Sequence, residues 1–405
     1  MKIAVIAEWY PSPADPVHGI WAHRQALAAR DAGAEVTVLA MRRPVPPLSL
    51  LRGGDLAALR RWGAATRGEL APTLLDGLEL VPVPWGAPPR PLSYGTWGWW
   101  MAPFLHRALS ALRTRWRFDL VHAHNVAPTG QAALAWTRAT GVPLVVSAHG
   151  PDIIDIPARS RLGRAAVRGT LAGAQLVLAN SRWAAARCTA LGAPNARVQT
   201  LYLGADLPGS APSPEVVAGA PLRLITIAHL QARKHHATVL TALAALDPPR
   251  RPSYEIIGDG EERAHLEALT AQLGLTDRVR FLGQLPHKAA LARLAAADLF
   301  VMAGVQEPFG VAFVEAMAAG LPAVGGAGEG GPADIAAAGE GMLTVPPGDP
   351  GALATLLARL DADRVELARL GAAARATVAE HFTWARCGTA TVAAYREVLT
   401  TAAAR

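Results

Sequence analysis

Two glutamates with seven residues between them are the side chains whose types and spacing best suit chemistry in this sequence. Glu307 and Glu315 enclose a Pro-Phe-Gly turn, and a run of good helix formers follows the turn as far as Gly320. Because proline and glycine favour turns, we expect Glu307 in a loop and Glu315 on the first turns of the next helix. The pattern therefore places a carboxylate on each side of a helix amino terminus.

That helix start is suited to a phosphate group. The backbone N–H groups of Phe309, Gly310 and Val311 would lie where a helix leaves its donors unpaired and where its dipole favours negative charge. At ~1.5 Å per residue, Glu315 lies roughly 9 Å beyond Phe309. A diphosphate between the carboxylates would have acceptors for sugar hydroxyls on one side and for ribose hydroxyls on the other. The spacing predicts a nucleotide-sugar site.

The elements that must position these residues alternate along the chain. Apolar runs with the length of buried strands are separated by Ala-, Leu- and Arg-rich stretches of helical period, which predicts parallel sheets wrapped by helices. The runs are KIAVIAEW, EVTVLAM, LELVPVP, DLVHAHN, PLVVSAHG and LVLANS, then LRLITIAHL, YEIIGDG, VRFLGQL, DLFVMAG, LPAVGGAG and GMLTVPPG.

A break in this alternation divides the chain. The segment 207–221 contains four prolines and has no periodicity, which is typical of a linker. At 405 residues the chain is also longer than one ordinary domain. We therefore predict an α/β protein with two doubly wound, Rossmann-like domains, residues 1–206 and 222–385, and a ligand cleft between them.

Positive charge is concentrated in the first half. The formal net charge is +7, but residues 1–206 carry +10, residues 207–405 carry −3, and residues 42–117 alone carry +7. Nearly all basic residues are arginines, without the lysine runs typical of nucleic-acid tails. We expect no nucleic-acid partner.

The basic segment 42–117 also contains clustered tryptophans. They are Trp85, Trp97, Trp99, Trp100 and Trp116. Tryptophan suits the headgroup zone of a bilayer and arginine suits anionic lipid, so the segment is a candidate for peripheral contact with an anionic membrane. The alternative is that the aromatic residues belong to a core or a cleft and the arginines are solvated.

Cysteine usage and hydropathy bear on the compartment. Cys188 and Cys387 are too few for a disulfide framework, and their spacing fits no zinc pattern. The acidic Glu8 precedes any complete signal-peptide core, and no window offers about 20 consecutive apolar residues. We expect a cytoplasmic protein, with peripheral binding at the inner face of the membrane as an open alternative.

Beyond these patterns, the sequence resembles the retaining, metal-independent glycosyltransferases of family 4, which have the GT-B fold and carry a Glu-x7-Glu signature. The resemblance spans nearly the whole chain and is densest over residues 222–348. Its closing segment implies that residues 386–405 form a helix that returns to the N-terminal domain. The similar strings are VVSAHGPDI, LITIAHLQARKHH, IIGDGEERAHLE, VRFLGQLP, AADLFVMAGVQEPFG, GEGGPADI, GMLTVPPGD and HFTWARCGTATVAAYREVL.

The resemblance implies a role for individual residues. Glu307 would hold donor-sugar hydroxyls, Glu315 the nucleoside ribose, and Lys234 the diphosphate. His149 would face the reacting carbon and contact both donor sugar and acceptor. A surface role for Lys234 and a structural role for His149 stay open as alternatives. For Asp152 we favour a structural role, as a cap on the following helix.

The implied reaction moves a hexose from a UDP- or GDP-linked donor to an acceptor hydroxyl with retention of configuration. The acceptor would bind the N-terminal domain and could be a lipid-linked or cell-surface glycan precursor or a natural product. No cofactor and no metal are expected. Asp361-Ala362-Asp363 matches a metal-binding pattern, but it lies in a polar stretch between helices, and we interpret it as a solvated turn.

The chain departs from the family pattern at the phosphate-binding positions. An Ala-His-Leu string replaces the usual Gly-Arg-Leu, so His229 or Arg233 would substitute for the missing arginine. A His-Gly pair replaces the usual Gly-Gly near the amino terminus. Only Gly19 is then left to allow a close approach of the backbone to the diphosphate. Cations and helix N–H groups aimed at the leaving phosphate would stabilise the charge that develops there.

Three other classes of protein compete with this interpretation. A nicotinamide-dependent oxidoreductase would need a Gly-x-Gly-x-x-Gly turn, which the first loop lacks and which residues 258–263 match only in part. A nucleotide-sugar epimerase of similar fold would release nucleotide without an acceptor. A non-catalytic sugar-nucleotide-binding relative would release none, and the histidines at positions 18 and 229 motivate it.

Overall fold

The alternating apolar runs form two separate parallel sheets. The structure is a computed structural model that describes residues 1–13, 15–45, 56–88, 93, 95–209 and 220–403. The chain divides into an N-terminal unit, Met1–Leu201 with Cys387–Arg405, and a C-terminal unit, Tyr202–Arg386. Each unit has its own sheet. The predicted α/β class with two doubly wound domains is confirmed.

In the N-terminal unit the described strands run in the order β3-β4-β2-β1-β5-β6-β7-β8. They are β1 (Lys2–Ala7), β2 (Glu35–Arg42), β3 (Thr73–Leu75), β4 (Leu78–Pro84), β5 (Leu120–His124), β6 (Leu144–Ala148), β7 (Leu176–Ala179) and β8 (Val198–Thr200). All neighbours are parallel except β3 and β4. The order reverses between β1 and β5, and ligands bind beyond the carboxyl ends of strands at such a switch point.

The helices of this unit cover the apolar strands. They are α1 (Ile20–Asp31), α2 (Leu56–Glu69), α3 (Trp97–Arg115), α4 (Gln131–Thr140), α5 (Pro151–Arg159), α6 (Arg161–Gly173) and α7 (Arg182–Ala190). Strands β5 and β6 are buried along their whole length, as expected for central parallel strands with helices on both faces.

The C-terminal unit has the strand order β11-β10-β9-β12-β13-β14, all parallel. Its strands are β9 (Arg223–Ile227), β10 (Ser253–Ile257), β11 (Val279–Gly283), β12 (Leu299–Met302), β13 (Ala323–Gly326) and β14 (Met342–Val345). Its helices are α8 (His236–Ala245), α9 (Arg263–Gln272), α10 (His287–Leu294), α11 (Val311–Ala318), α12 (Gly330–Ala338), α13 (Pro350–Ala362) and α14 (Arg364–His381). Here the order reverses between β9 and β12, so the loops after these two strands lie at the switch point.

The last helix, α15 (Trp384–Ala403), packs on the N-terminal unit from Cys387 onwards. Gly388 lies so close to α1 that a Cβ there would overlap the carbonyl oxygen of Ala28. Farther along, the Tyr395 hydroxyl is 2.7 Å from Nδ1 of His122 on β5. The helix thus supplies part of the interior of the N-terminal unit.

The segment between the two sheets joins the C-terminal unit earlier than residue 206. The ring of Tyr202 packs on Phe309 and Phe382, with ring centroids 5.9 and 5.3 Å away. These aromatic contacts place the division after Leu201. Of the predicted linker, residues 210–219 lie outside the described part of the chain.

The tryptophans of the basic segment are divided between core and surface, with Trp62 and Trp116 half-buried. Trp85 and Trp97 belong to the core, where their rings meet edge to face at 5.4 Å. On α3, Trp99, Trp100 and Phe104 are exposed. Residues 46–55, 89–92 and 94 of the segment are not among the described residues. None of the helices in the described ranges is long and apolar enough to span a bilayer.

Substitution by alanine at two helical glycines of the N-terminal unit should change the free energy of unfolding in opposite directions. Alanine normally stabilises a helix interior by about 1 kcal/mol relative to glycine. Gly169→Ala, where a Cβ meets nothing within 4 Å, should follow that rule. Gly388→Ala should instead lower the free energy of unfolding by about 1–3 kcal/mol, because α15 must move away from α1. Urea unfolding of both variants measures the sign of each change in the free energy of unfolding. A stabilised Gly388→Ala variant would contradict the close packing of α15 on α1.

Candidate functional site

Loops at the switch point of the C-terminal sheet bring several predicted site residues together. Arg233 and Lys234 lie in a single 3-10 turn after β9, and Glu307 lies in the loop after β12. The Val305 N–H donates to the carbonyl oxygen of Arg233 at 2.8 Å, which joins the two loops. A Cβ at Gly304 would lie 2.5 Å from the same oxygen, so only glycine permits this approach.

An ion pair between Lys234 Nζ and Glu307 Oε2 lies at the centre of this arrangement. Each side chain is only 11% exposed. Removing two charges from water is costly, and the loss of either partner leaves the other charge uncompensated. The pair therefore holds both groups in one place, at the end of the sheet where ligands bind.

Arg233 is anchored beside this pair. Its Nε donates to Gln231 Oε1 at 3.1 Å, and its Nη1 donates to the backbone oxygen of Gln306 at 3.4 Å. Two cationic side chains thus converge on the Glu307 loop, and both are engaged with protein acceptors. His229, the other predicted phosphate ligand, follows β9 with an exposed side chain, and its backbone is hydrogen-bonded to buried His236.

The Glu307 loop has an unusual backbone. Gln306 has a φ of 53°, in the left-handed region that residues with a side chain rarely adopt. The Glu307 N–H donates to Glu329 Oε2 at 3.2 Å, and its carbonyl oxygen accepts from Gly331 N–H at 3.0 Å. Sequence reasoning did not identify Glu329. Its position in the GEGGPADI string, directly before a Gly-Gly pair, was an available signal.

The predicted phosphate-binding helix start is present as α11. Gly310 precedes the helix with a φ of 82° and offers no side chain to cap it. Phe309 is buried against Tyr202 and Phe382, so it can offer only its backbone to a ligand. A helix start without a side-chain cap leaves N–H donors available to an anion.

Glu315 lies on α11 and is paired with a histidine. Its Oε1 is 2.7 Å from Nε2 of His287 at the start of α10, and its side chain is 12% exposed. The pairing fixes the orientation of the Glu315 carboxylate. His287 was not predicted, because nothing in its local sequence links it to a glutamate so far along the chain.

In the N-terminal unit, Gly19 lies between β1 and α1 with a φ of 76°. A Cβ at this position would overlap the backbone oxygen of Trp9, so the loop can close only around glycine. The Trp9 ring is 6.0 Å from Trp21, which is 6.1 Å from His149. The loop that packs around Gly19 is thus connected to His149 through the rings of Trp9 and Trp21.

His149 follows β6 and belongs to a buried row of histidines. Its Nε2 is 3.0 Å from Nδ1 of His124, and the rings are nearly parallel at 5.2 Å. His122, two residues earlier on β5, lies 4.6 Å from the His124 ring. Alternate residues of a strand share one face, so the His-Ala-His spacing could have revealed this row.

Burial keeps these imidazoles neutral. Desolvation lowers the pKa of His149 to about 4 and that of His122 to about 3. It also lowers the pKa of His124 well below its ordinary value, with further repulsion from His122 and His149. At neutral pH the row carries polarity without charge.

Asp152 has a structural role, but it is not the predicted cap. It lies inside α5, and its carboxylate accepts from the N–H groups of His149 at 3.1 Å, Gly150 at 2.9 Å and Val126 at 2.7 Å. Burial raises its pKa, and the three hydrogen bonds act against that rise. Asp152 therefore fixes the backbone that carries the His149 side chain.

The interpretation of Asp361-Ala362-Asp363 as a solvated turn was wrong. Asp361 lies in the last turn of α13 as a buried carboxylate paired with Arg250 at 2.7 Å and with Arg364 at 2.5 Å. Asp363 caps α14 by accepting from the Glu366 N–H at 2.9 Å. In the described ranges no group of three or more His, Cys, Asp or Glu side chains is placed to hold a metal ion.

Comparison with known proteins assigns the family. The chain matches the model described as Glycosyltransferase Family 4 over residues 19–208 and the model described as Glycosyl transferases group 1 over residues 214–377. It is similar to the 2-deoxystreptamine glucosyltransferase of Streptomyces kanamyceticus, with 32% identity over 74% of this chain and 82% of that protein. The chain belongs to family 4 of the glycosyltransferases.

A second relative is also named as a glycosyltransferase, and solved structures share the fold. D-inositol 3-phosphate glycosyltransferase 1 of Catenulispora acidiphila is 28% identical over 92% of this chain and 98% of its own. The sucrose-phosphate synthase of Thermosynechococcus elongatus has a TM-score of 0.78 at 20% identity, covering 99% of this chain and 100% of that one. Anabaena HepE in complex with UDP-glucose has a TM-score of 0.68 at 19% identity, with all of both chains covered. The fold is that of the GT-B glycosyltransferases.

The neutral histidine row predicts a specific pH response. Below pH 6.5, near the ordinary histidine pKa, the unfolded chain takes up protons that folded His149 takes up only near its pKa of about 4. The free energy of unfolding should therefore decrease as pH falls through this window, by at most about 1.4 kcal/mol per pH unit for each buried histidine.

NMR of the imidazole protons, with His149→Asn to assign the resonance, measures the same property directly. The His149 signal should keep its neutral-form shift from pH 8 to pH 5. A titration midpoint above pH 6 would contradict the neutral row.

Proposed function

We propose that this glycosyltransferase uses a UDP- or GDP-linked hexose as donor and transfers the sugar to an acceptor hydroxyl with retention of configuration, without a metal ion. The observation that carries the proposal is the meeting of Lys234 and Glu307 at the switch point, beside a helix start that leads to Glu315. This set combines cations for a diphosphate with carboxylates for hydroxyl groups.

The charges of these residues determine which part of the donor each of them would contact. The diphosphate is assigned to the groups that favour negative charge, which are Lys234, Arg233 and the start of α11. His229, in the loop after β9, is available to the same ligand group. Glu307 is assigned to the sugar hydroxyls, and Glu315, oriented by its histidine partner, to the ribose. The UDP-glucose complex of Anabaena HepE, which shares the fold, supports a nucleotide-sugar as ligand.

The charges that develop on the sugar and on the phosphate during transfer determine which groups the site must supply. The bond between the anomeric carbon and the diphosphate oxygen breaks, which leaves positive charge on the sugar and negative charge on the phosphate. The cations of the C-terminal unit stabilise the leaving group. The acceptor oxygen bonds to the same face of the sugar, and its proton passes to the departing phosphate oxygen.

His149 is assigned to the sugar and acceptor in the N-terminal unit. Its pKa, lowered to about 4 by burial, keeps the ring neutral, so it can hydrogen-bond a hydroxyl without repelling the positive anomeric carbon. Gly19 allows backbone to approach the diphosphate. These assignments follow from the family resemblance together with the burial of the histidine row.

The acceptor is assigned to the N-terminal unit as an alcohol of a glycan precursor or a natural product. The names of two relatives specify 2-deoxystreptamine and D-inositol 3-phosphate, so cyclitols are the first acceptors to test. An epimerase or a non-catalytic binding protein is not favoured by these relatives, which are named as glycosyltransferases.

Donor turnover tests the proposal. A thermal-shift screen of UDP-, GDP- and ADP-sugars identifies the stabilising donor, and nucleoside diphosphate release is then followed with and without cyclitol and sugar acceptors, in the presence of EDTA. We expect release that requires an acceptor and persists in EDTA, and an α-linked product from an α-linked donor. Release without acceptor would instead indicate an epimerase, and an EDTA-sensitive reaction would contradict metal independence.

Variants of the site sharpen the same test. Glu315→Ala and Lys234→Ala should each weaken nucleoside diphosphate binding by about tenfold or more, because each removes a hydrogen-bond partner of a charged ligand. Glu380→Ala, an exposed acid on α14, is the matched control and should not change affinity. Calorimetry that finds unchanged affinity in both site variants would reject the site assignment.

We also propose that the exposed aromatic residues of α3 contact an anionic membrane. Trp99, Trp100 and Phe104 are 58%, 47% and 45% exposed, at neighbouring positions of one helix. Gly95, just before α3, packs on Gly163 of α6, where Leu162 is also exposed and the neighbouring side chains at positions 161 and 164 are exposed arginines. Exposed indoles bordered by arginines suit an anionic lipid surface.

Vesicle cosedimentation tests this contact. Binding should increase when phosphatidylglycerol is added to phosphatidylcholine vesicles, and the triple variant Trp99→Ala, Trp100→Ala, Phe104→Ala should bind about tenfold more weakly. Trp183→Ala, an exposed tryptophan on α7, is the control and should bind normally. Binding that is independent of anionic lipid, or equal in the triple variant and the control, would remove the proposal.

A further inference from the structure

Three contacts determine where the Glu307 carboxylate lies. Its side chain is paired with Lys234, its carbonyl oxygen accepts from the Gly331 N–H at 3.0 Å, and its own N–H donates to Glu329 Oε2 at 3.2 Å. Two of these three contacts come from the short stretch Glu329–Gly331, which follows β13. This stretch therefore clamps the peptide groups on both sides of the Glu307 Cα.

Glu329 is placed as a helix cap but does not act as one. It is the residue before α12, the position from which Ser, Thr, Asp or Asn side chains accept from the first N–H groups of a helix. Its side chain makes no such bond. The carboxylate is directed instead across the loop, to the backbone of a residue 22 positions earlier in the chain. The N-cap position of α12 thus carries a side chain that contacts another loop instead of its own helix.

The hydrogen bond from the Glu307 N–H to Glu329 involves the peptide group directly after Gln306, a residue with a strained backbone. Gln306 has a φ of 53°, a conformation that costs of order 1 kcal/mol or more and persists only where its surroundings enforce it. The Arg233 guanidinium holds the Gln306 carbonyl oxygen at 3.4 Å, and Glu329 holds the N–H of the same peptide group. Without Glu329, the Glu307 N–H loses this acceptor, and the loop can relieve the strain by returning Gln306 to a negative φ, which would turn the Glu307 side chain.

We propose that Glu329 is a positioning residue that keeps the Gln306-Glu307 peptide in the orientation that presents the Glu307 carboxylate to the donor sugar. The inference rests on the proposed function, because it gives Glu307 the sugar hydroxyls. It bears on sugar recognition first, since the hydrogen bond of Glu329 is to the peptide that carries Glu307 and not to a group assigned to the diphosphate or the ribose.

The test compares Glu329→Ala with Glu329→Gln, whose amide oxygen can still accept from the Glu307 N–H. Exchange of the Glu307 amide hydrogen reports the clamp, calorimetry with UDP reports the nucleotide site, and turnover of UDP-glucose reports the sugar site. In Glu329→Ala we expect about tenfold faster exchange, UDP affinity within about twofold of wild type, and kcat/KM for UDP-glucose about tenfold lower. Glu329→Gln should restore exchange and kcat/KM to within about threefold.

Two further variants distinguish positioning from general stability. Glycine accepts a positive φ without strain, so Gln306→Gly combined with Glu329→Ala should recover part of the lost turnover. Asp363→Ala removes an acid that does cap its own helix, α14, and should lower thermal stability without changing the exchange of the Glu307 amide or the turnover.

The outcomes test the positioning role of Glu329 separately from the proposed donor. Unchanged exchange in Glu329→Ala, or faster exchange with unchanged turnover, overturns the positioning role. Equal loss of turnover in Glu329→Ala and Glu329→Gln would mean that the charge itself acts on the sugar, which also overturns it. If wild-type protein binds neither UDP nor GDP and neither of their hexose conjugates, the proposed donor is wrong, while amide exchange still decides whether Glu329 holds the Glu307 peptide.

Discussion

The ion pair between Lys234 and Glu307 is the interaction on which the geometry of the C-terminal unit depends. Both groups are largely removed from water, so each needs the other as a counter-charge. They can meet only if the loops after β9 and β12 come into contact, and that contact requires a residue without a side chain at Gly304. The strained backbone at Gln306 follows from the same close approach.

The N-terminal unit handles its buried polar groups differently. The histidine row carries no counter-charge, and burial depresses the pKa values of its members until they are neutral. His122, at the more deeply buried end of the row, is held by Tyr395 of α15 and by the Ser147 hydroxyl at 2.8 Å. One unit therefore presents paired charges and the other neutral hydrogen-bonding groups. Under the proposed function, the charges of the C-terminal unit serve the leaving group, where negative charge develops, and the neutral groups of the N-terminal unit serve the sugar.

Local patterns in the sequence were sufficient to predict the sheets and the loop that carries Glu307. Strand and helix periods are local, and a Pro-Phe-Gly turn before a helix can be recognised within a few residues. The partners of Glu307 and Glu315 could not be found in this way, because Glu329 and His287 reach them only through the register of the parallel strands. The burial of Asp361 was missed for the same reason, since its partner Arg250 lies in a loop far away in sequence.

The pairing of Lys234 with Glu307 has a consequence for the order of recognition under the proposed function. A diphosphate must draw Lys234 away from Glu307, and sugar hydroxyls must then satisfy the carboxylate that is left without its counter-charge. A nucleotide alone completes the first exchange and leaves a buried carboxylate uncompensated, whereas a complete nucleotide-sugar satisfies both groups. Discrimination between donor and released nucleotide would then arise from the ion pair itself. The clamp on the Glu307 peptide contributes by keeping the freed carboxylate in place, so that it accepts from the sugar and does not rotate towards water.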